Sequence, residues 1–221
     1  MTDKNLTEIV AILDRSGSMH CLTADTIGGF NAFLAEQKKA PGRAKLTLVQ
    51  FDDQYQIDHD GVDIQSVPDL NRTTYQPRGS TALLDAVGKT IVTVGERLAK
   101  TPEEQRPGQV IFLVITDGQE NASKEFRDPA KIAEMVRHQT ENYQWTFSFM
   151  GGGNAAFAQA AHLGFASNQT YLYPATSDGT HAVYAAAAVG FTRRREQQTR
   201  GVIMDPMASL LTDDEAKSLK N

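Results

Sequence analysis

The sequence predicts an α/β protein built on a doubly wound, mostly parallel sheet with helices on both faces. Short apolar runs rich in β-branched residues alternate along the chain with longer segments whose apolar residues recur at helical spacing. Such alternation points to parallel strands, because each parallel crossover needs a covering element. The most apolar run, VIFLVI at 110–115, shows no polar alternation, as expected of a central strand covered on both sides.

Taken in order, EIVAIL at 8–13 reads as the first buried strand, ending at Asp14. Residues 25–39 place Ile27, Phe30, Phe33 and Leu34 on one stripe of a helix that stops near Pro41-Gly42. KLTLVQF at 45–51 and YQIDHDGVDI at 55–64, separated by Asp52-Asp53-Gln54, read as a hairpin closing one sheet edge. Residues 66–80 carry Pro68, Pro77 and Gly79 without a sustained period and are expected to be loop until a helix starts at Ser80-Thr81. Leu83, Leu84, Val87, Ile91, Val94 and Leu98 then mark a long amphipathic helix. After the central strand come a helix at 129–139, a strand at 146–150, a glycine turn at 151–153, a helix at 155–163, a strand at 170–173 and a last helix at 182–197. Residues 212–221 fit a short charged terminal helix or a frayed tail.

Composition narrows the function. The 221 residues fit a single domain spanning 1–221. A net charge of -5 argues against a phosphate-tracking surface, so nucleic acid is not the expected partner. No apolar run is long enough for a membrane span, and Met1–Thr7 lacks the features of an export signal, so no membrane association and a cytoplasmic location are expected. The lone Cys21 fits a reducing compartment and excludes an internal disulfide.

The chemistry gathers in three short segments. Asp14, Ser16 and Ser18 follow the first strand at alternate positions, which project to one side in extended backbone. Thr81 opens the long helix, and Asp117 ends the central strand. Open α/β sheets bind ligands outside the carboxyl ends of their strands where the strand order reverses, so both aspartates are expected at the site. Two carboxylates and three hydroxyls form an all-oxygen set, which selects a hard cation: Mg²⁺ first, with Mn²⁺ or Ca²⁺ as other candidates. Asp85, on the first turn of the long helix, is a candidate to orient Thr81 or a water, although the helix dipole alone favours an acid there.

DRSGS at 14–18, GSTAL at 79–83 and TDG at 116–118 together resemble the metal-ion-dependent adhesion site of von Willebrand factor A domains. The resemblance covers about residues 7–195, leaving 196–221 as a C-terminal extension, and is closest in style to small single-domain bacterial or phage members. It implies a six-stranded Rossmann-like sheet of order 3-2-1-4-5-6 with strand three antiparallel. It also implies that Ser16 and Ser18 meet the ion through their hydroxyls, and that Thr81, Asp14 and Asp117 do so directly or through water. The resemblance implies, too, that a carboxylate from a partner protein's Glu or Asp completes the shell.

Other features receive blander readings. His20 and Cys21 lack the partners of a soft-metal site, and His59, His138, His162 and His181 show no ligand spacing. Gly151–Asn154 reads as a tight turn rather than a phosphate cradle, since no P-loop Lys follows. Arg193–Arg195 reads as a solvated basic face. The competing function is a Mg²⁺-dependent phosphatase or hydrolase with Asp14 as nucleophile. Against it, that class usually carries a second Asp where this chain has Ser16.

Overall fold

Strands form where apolar residues occupy consecutive positions, because alternate side chains then enter two different cores. The computed structural model describes residues 1–153 and 155–219. Its strands are β1 (Asp3–Asp14), β2 (Arg43–Phe51), β3 (Tyr55–Asp63), β4 (Pro107–Thr116), β5 (Thr146–Gly152) and β6 (Thr170–Tyr173). The helices are α1 (Thr23–Lys39), α2 (Leu83–Lys100), α3 (Pro129–Tyr143), α4 (Ala155–His162), α5 (Ser177–Thr199) and α6 (Asp213–Ser218). One six-stranded sheet results, in the order β3-β2-β1-β4-β5-β6, with only β3 antiparallel to its neighbour.

The central strands show why their sequences do not alternate. Ile9, Ala11 and Leu13 of β1 and Ile111, Leu113 and Ile115 of β4 pack toward α1 and α5. Val10 and Ile12, with Val110, Phe112 and Val114, face the layer of α2, α3 and α4. Each strand thus feeds two cores, and polar positions would be costly on either side. The extension joins the first core, since Leu210, Leu211 and Leu219 are buried in it. Its helix α6 starts with a capping box between Thr212 and Glu215.

Several boundaries differ from the sequence expectation for identifiable reasons. The helix expected from Ser80-Thr81 begins at Leu83, because Ala82 N–H donates to the Asp52 carbonyl at 2.8 Å and holds the preceding residues in the loop. The last helix begins at Ser177, well before Ala182. Thr176 caps it by accepting from Gly179 N–H, and Gly179 lies so close to the Pro174 carbonyl that a β-carbon would sit 2.1 Å from it. That polar, glycine-containing start hides the helical period. Gly151 and Gly152 belong to β5 rather than to a turn, and Asn154 of the expected turn lies outside the described residues, as do Lys220 and Asn221 of the terminal segment.

The basic run is a correction. Arg193 pairs with Glu215 of α6, but Arg194 and Arg195 are each 2% exposed. Arg195 reaches the carbonyls at the carboxyl end of α1, donating to Gln37, Ala40 (3.3 Å) and Gly42 (2.9 Å). The negative end of that helix dipole compensates the buried charge. Among the described residues no helix is long and apolar enough to cross a membrane.

Candidate metal centre

The strand order reverses between β1 and β4, whose parallel register pairs Leu13 with Ile115 and so sets Asp14 beside Thr116 at the carboxyl edge. Beyond β1 the chain turns through Ser16 into a short 3₁₀ segment, Gly17–Leu22. Backbone hydrogen bonds bind this turn to the 78–79 loop: Arg78 N–H donates to the Arg15 carbonyl (2.8 Å), and Gly17 N–H to that of Gly79 (3.1 Å). Beneath it, the buried Tyr75 hydroxyl donates to the Asp14 carbonyl at 2.6 Å.

The five expected oxygen donors come from three segments and meet at one rim. Ser16 and Ser18 hydroxyls lie 3.0 Å apart, and Ser18 donates to Asp117 Oδ1 at 2.6 Å. Ser16 N–H donates to Asp14 Oδ1 at 2.6 Å, while the Thr116 hydroxyl donates to Asp14 Oδ2. Gly118 marks the space they share. A β-carbon built there would lie 2.8 Å from Thr81 Oγ1, 3.2 Å from Asp14 Oδ2 and 3.4 Å from Ser16 Oγ. Asp14, Ser16 and Thr81 form the buried floor, with Asp117 half-buried and Ser18 exposed at the edge.

Electrostatics fit the donor set to a cation. Neither Asp14 nor Asp117 has a Lys, Arg or His partner within ion-pair distance among the described residues. Burial pushes the Asp14 carboxyl up to about 6, despite the opposing hydrogen bonds from Thr116 and Ser16 and with a smaller push from Asp117. Burial raises Asp117 as well. Two carboxylates held in a partly desolvated rim without a protein cation are costly, and a divalent cation offsets that cost. Among the described residues no three His, Cys, Asp or Glu side chains cluster as a cage, so a metal at this rim depends on hydroxyls. His20 and Cys21 are exposed, as the blander reading expects.

Asp85 is placed differently from its expected role. Its carboxylate accepts from the backbone N–H groups of Lys124, Glu125 and Phe126, and among the described residues no hydrogen bond joins it to Thr81. The orienting group is Asn121, which sequence reasoning missed. Thr81 N–H donates to Asn121 Oδ1 at 2.8 Å, and the Thr81 carbonyl accepts from the N–H of Asn121 (2.9 Å) and Ala122 (3.2 Å). Glu120 adds to this clamp by accepting from Leu84 N–H at 2.8 Å at the start of α2. Thr116, which holds Asp14, was visible as the first residue of TDG. Asn121 carried no local signal, because its partner is distant in sequence.

An open doubly wound domain with an oxygen-lined rim at its strand-order reversal defines the class to which this chain belongs. The family model for the von Willebrand factor type A domain matches residues 8–186, and the chain belongs to that family. Solved structures share the fold. Proximal thread matrix protein 1 from the mussel byssus aligns with a TM-score of 0.57 at 13% identity, over 85% of this chain and 47% of that one. A von Willebrand factor type A structure from Catenulispora acidiphila gives 0.54 at 14% identity, over 87% and 42%. Manganese-loaded TRAP protein of Plasmodium vivax gives 0.52 at 14% identity, over 82% and 72%. The chain therefore spans less than half the length of the first two. No curated protein matches it.

Proposed function

We propose that this domain is a protein-binding module that holds one Mg²⁺ through Asp14, Ser16, Ser18, Thr81 and Asp117 and grips a Glu or Asp carboxylate of a partner protein. The supporting observation is the space at Gly118, bounded by oxygens of Asp14, Ser16 and Thr81 and backed by a carboxylate pair without a protein cation. Bound there, the ion would supply a Lewis-acidic position for an outside anion. The chain's own residues do the positioning: Thr116 fixes Asp14, Ser18 bridges Ser16 to Asp117, and Asn121 fixes the Thr81 backbone. The manganese carried by the TRAP structure is consistent with Mn²⁺ as a substitute.

The binding reading is preferred to a phosphatase with Asp14 as nucleophile. Asp14 is 1% exposed, and Ser16 stands where that class usually carries the second Asp that would serve as its acid partner. The proposal also treats residues 1–221 as one unit, because the extension buries Leu210, Leu211 and Leu219 in the same core as Ile9; it takes a cytoplasmic protein as the partner rather than a membrane, and the net charge of -5 disfavours nucleic acid.

Calorimetric titration with MgCl₂ tests the ion, with Asp14→Ala expected to abolish the heat. Affinity purification from the native host, run in parallel with MgCl₂ and with EDTA, tests the grip. A partner retained equally in both, or turnover of p-nitrophenyl phosphate lost in Asp14→Asn, would overturn the proposal.

A further inference from the structure

The sheet face beneath α1 and α5 is apolar through most of its length, but not at the amino ends of its strands. Strand periodicity and register place Thr7, Gln109, Thr146 and Ser148 on that face, below Ile9, Ile111 and Met150. At the same level the opposite face carries Val110, Trp145 and Phe147, and its one buried acid, Glu8, is already paired with Arg97 and Thr47. Arg194 of α5 closes over it. Its Nη1 donates to Thr146 Oγ1 at 3.2 Å, and its Nη2 donates to the carbonyls of Asp205 (3.4 Å) and Ala208.

This arginine is 2% exposed, yet no carboxylate lies within ion-pair distance of it among the described residues. Its Nε–H has no acceptor, and the buried Gln109 Oε1 has no donor. A buried cation with an unused donor is costly unless something completes it. A cavity of about 210 Å³ opens beside these groups. Its only charged lining residues are Arg194 and Lys4, both cationic, and no acid lines it. Of two acids adjacent in sequence to its lining, Asp3 pairs with Arg43, while Asp205, which accepts from Met207 N–H, acts on Arg194 only at longer range and forms no ion pair with it. The lip is apolar and exposed, with Val202 at 50% and Ile203 at 97%.

We propose that this cavity, at the pole of the sheet opposite the oxygen rim, binds a carboxylate carried on a short apolar body. Arg194 and Lys4 supply charge, and the Gln109 amide, once turned, supplies a donor. Val202 and Ile203 cover the apolar body. The volume corresponds to roughly seven waters, enough for a few carbons and too little for a folded element. A free monocarboxylic acid and the C-terminal carboxylate of a peptide share this chemistry.

Calorimetric titration of the full chain tests it, using sodium hexanoate, hexanol, and Gly-Gly-Leu with a free or an amidated C-terminus. Hexanoate or the free-acid peptide is expected to give saturable heat, with the uncharged analogue weaker by roughly tenfold or more. Binding of hexanoate alone assigns a small acid, and binding of the acid peptide but not its amide assigns a chain terminus. Because Arg194 substitutions endanger folding, the variants are Lys4→Glu and Gln109→Glu, each checked by thermal unfolding and each expected to lose roughly tenfold in affinity. Hexanol binding as tightly as hexanoate, unchanged affinity in a folded Lys4→Glu protein, or no saturable heat up to about 10 mM of any carboxylate overturns the proposal.

Discussion

Asp14 carries opposing demands within one side chain. Burial lifts its folded-state value to about 6, above the ordinary 3.8 of an unfolded carboxylate. The folded state therefore holds the proton more tightly, so this group's contribution is fully present below the unfolded value and is lost as pH rises through about 6. In metal-free protein at pH 7.5 the buried charge costs at most about 3 kcal/mol. Asp14→Asn keeps the shape and removes the charge. It should raise the melting temperature of EDTA-treated protein at pH 7.5, with the gain shrinking toward pH 4, while abolishing the rise that Mg²⁺ is expected to give the wild type. A variant no more stable than the parent across that range would contradict the charge argument. The candidate donors stood out in the sequence, because Asp14, Ser16, Ser18, Thr81 and Asp117 are chemically distinctive at fixed spacing, and the fold brings them to one rim. Thr116 was legible only as a neighbour, since its hydrogen bond to Asp14 depends on the register of two strands.

At the level of elements, the loop after β4 clamps the start of α2. Asn121 and Ala122 hold the Thr81 backbone, and Asp85 with Glu120 ties the helix end to residues 122–126. Asn121→Ala should lower Mg²⁺ affinity by about 10-fold, as loss of groups that orient ligands commonly does. Urea unfolding of the metal-free variant should show a loss of only about 1 kcal/mol, the value of one backbone-to-side-chain bond. Equal Mg²⁺ affinity would mean that Thr81 is held without Asn121. Helix α5 makes a second such tie. Arg195→Met keeps most of the volume but strips the donors from the end of α1, with an expected cost of about 3 kcal/mol by urea unfolding. Helix periods located these elements well where apolar stripes were long, as in α2. They failed at α5, whose first turns carry Ser177, Asp178 and Gly179, and in its arginine run, where buried guanidinium groups resemble a solvated face in sequence.

Across the whole molecule, the reversal of strand order between β1 and β4 creates the rim, and the same reversal was legible from the hairpin and from the unbroken apolar run of β4 together with the family motifs. The cavity at the opposite pole was not legible, because Lys4, Gln109, Thr146 and Arg194 have no motif and meet only after the sheet and α5 have packed. Gly118 offers the widest consequence. Its backbone lies outside the left-handed region, so alanine fits the local conformation, yet the added methyl would lie 2.8 Å from Thr81 Oγ1. Gly118→Ala is thus a deaf version of the protein made with one carbon: circular dichroism should match the parent and metal-free stability should fall by only about 1–3 kcal/mol as Thr81 gives way, while Mg²⁺ titration is expected to give no heat. Such a folded but silent twin would let an experimenter separate what the cell owes to the rim from what it owes to the chain's mere presence.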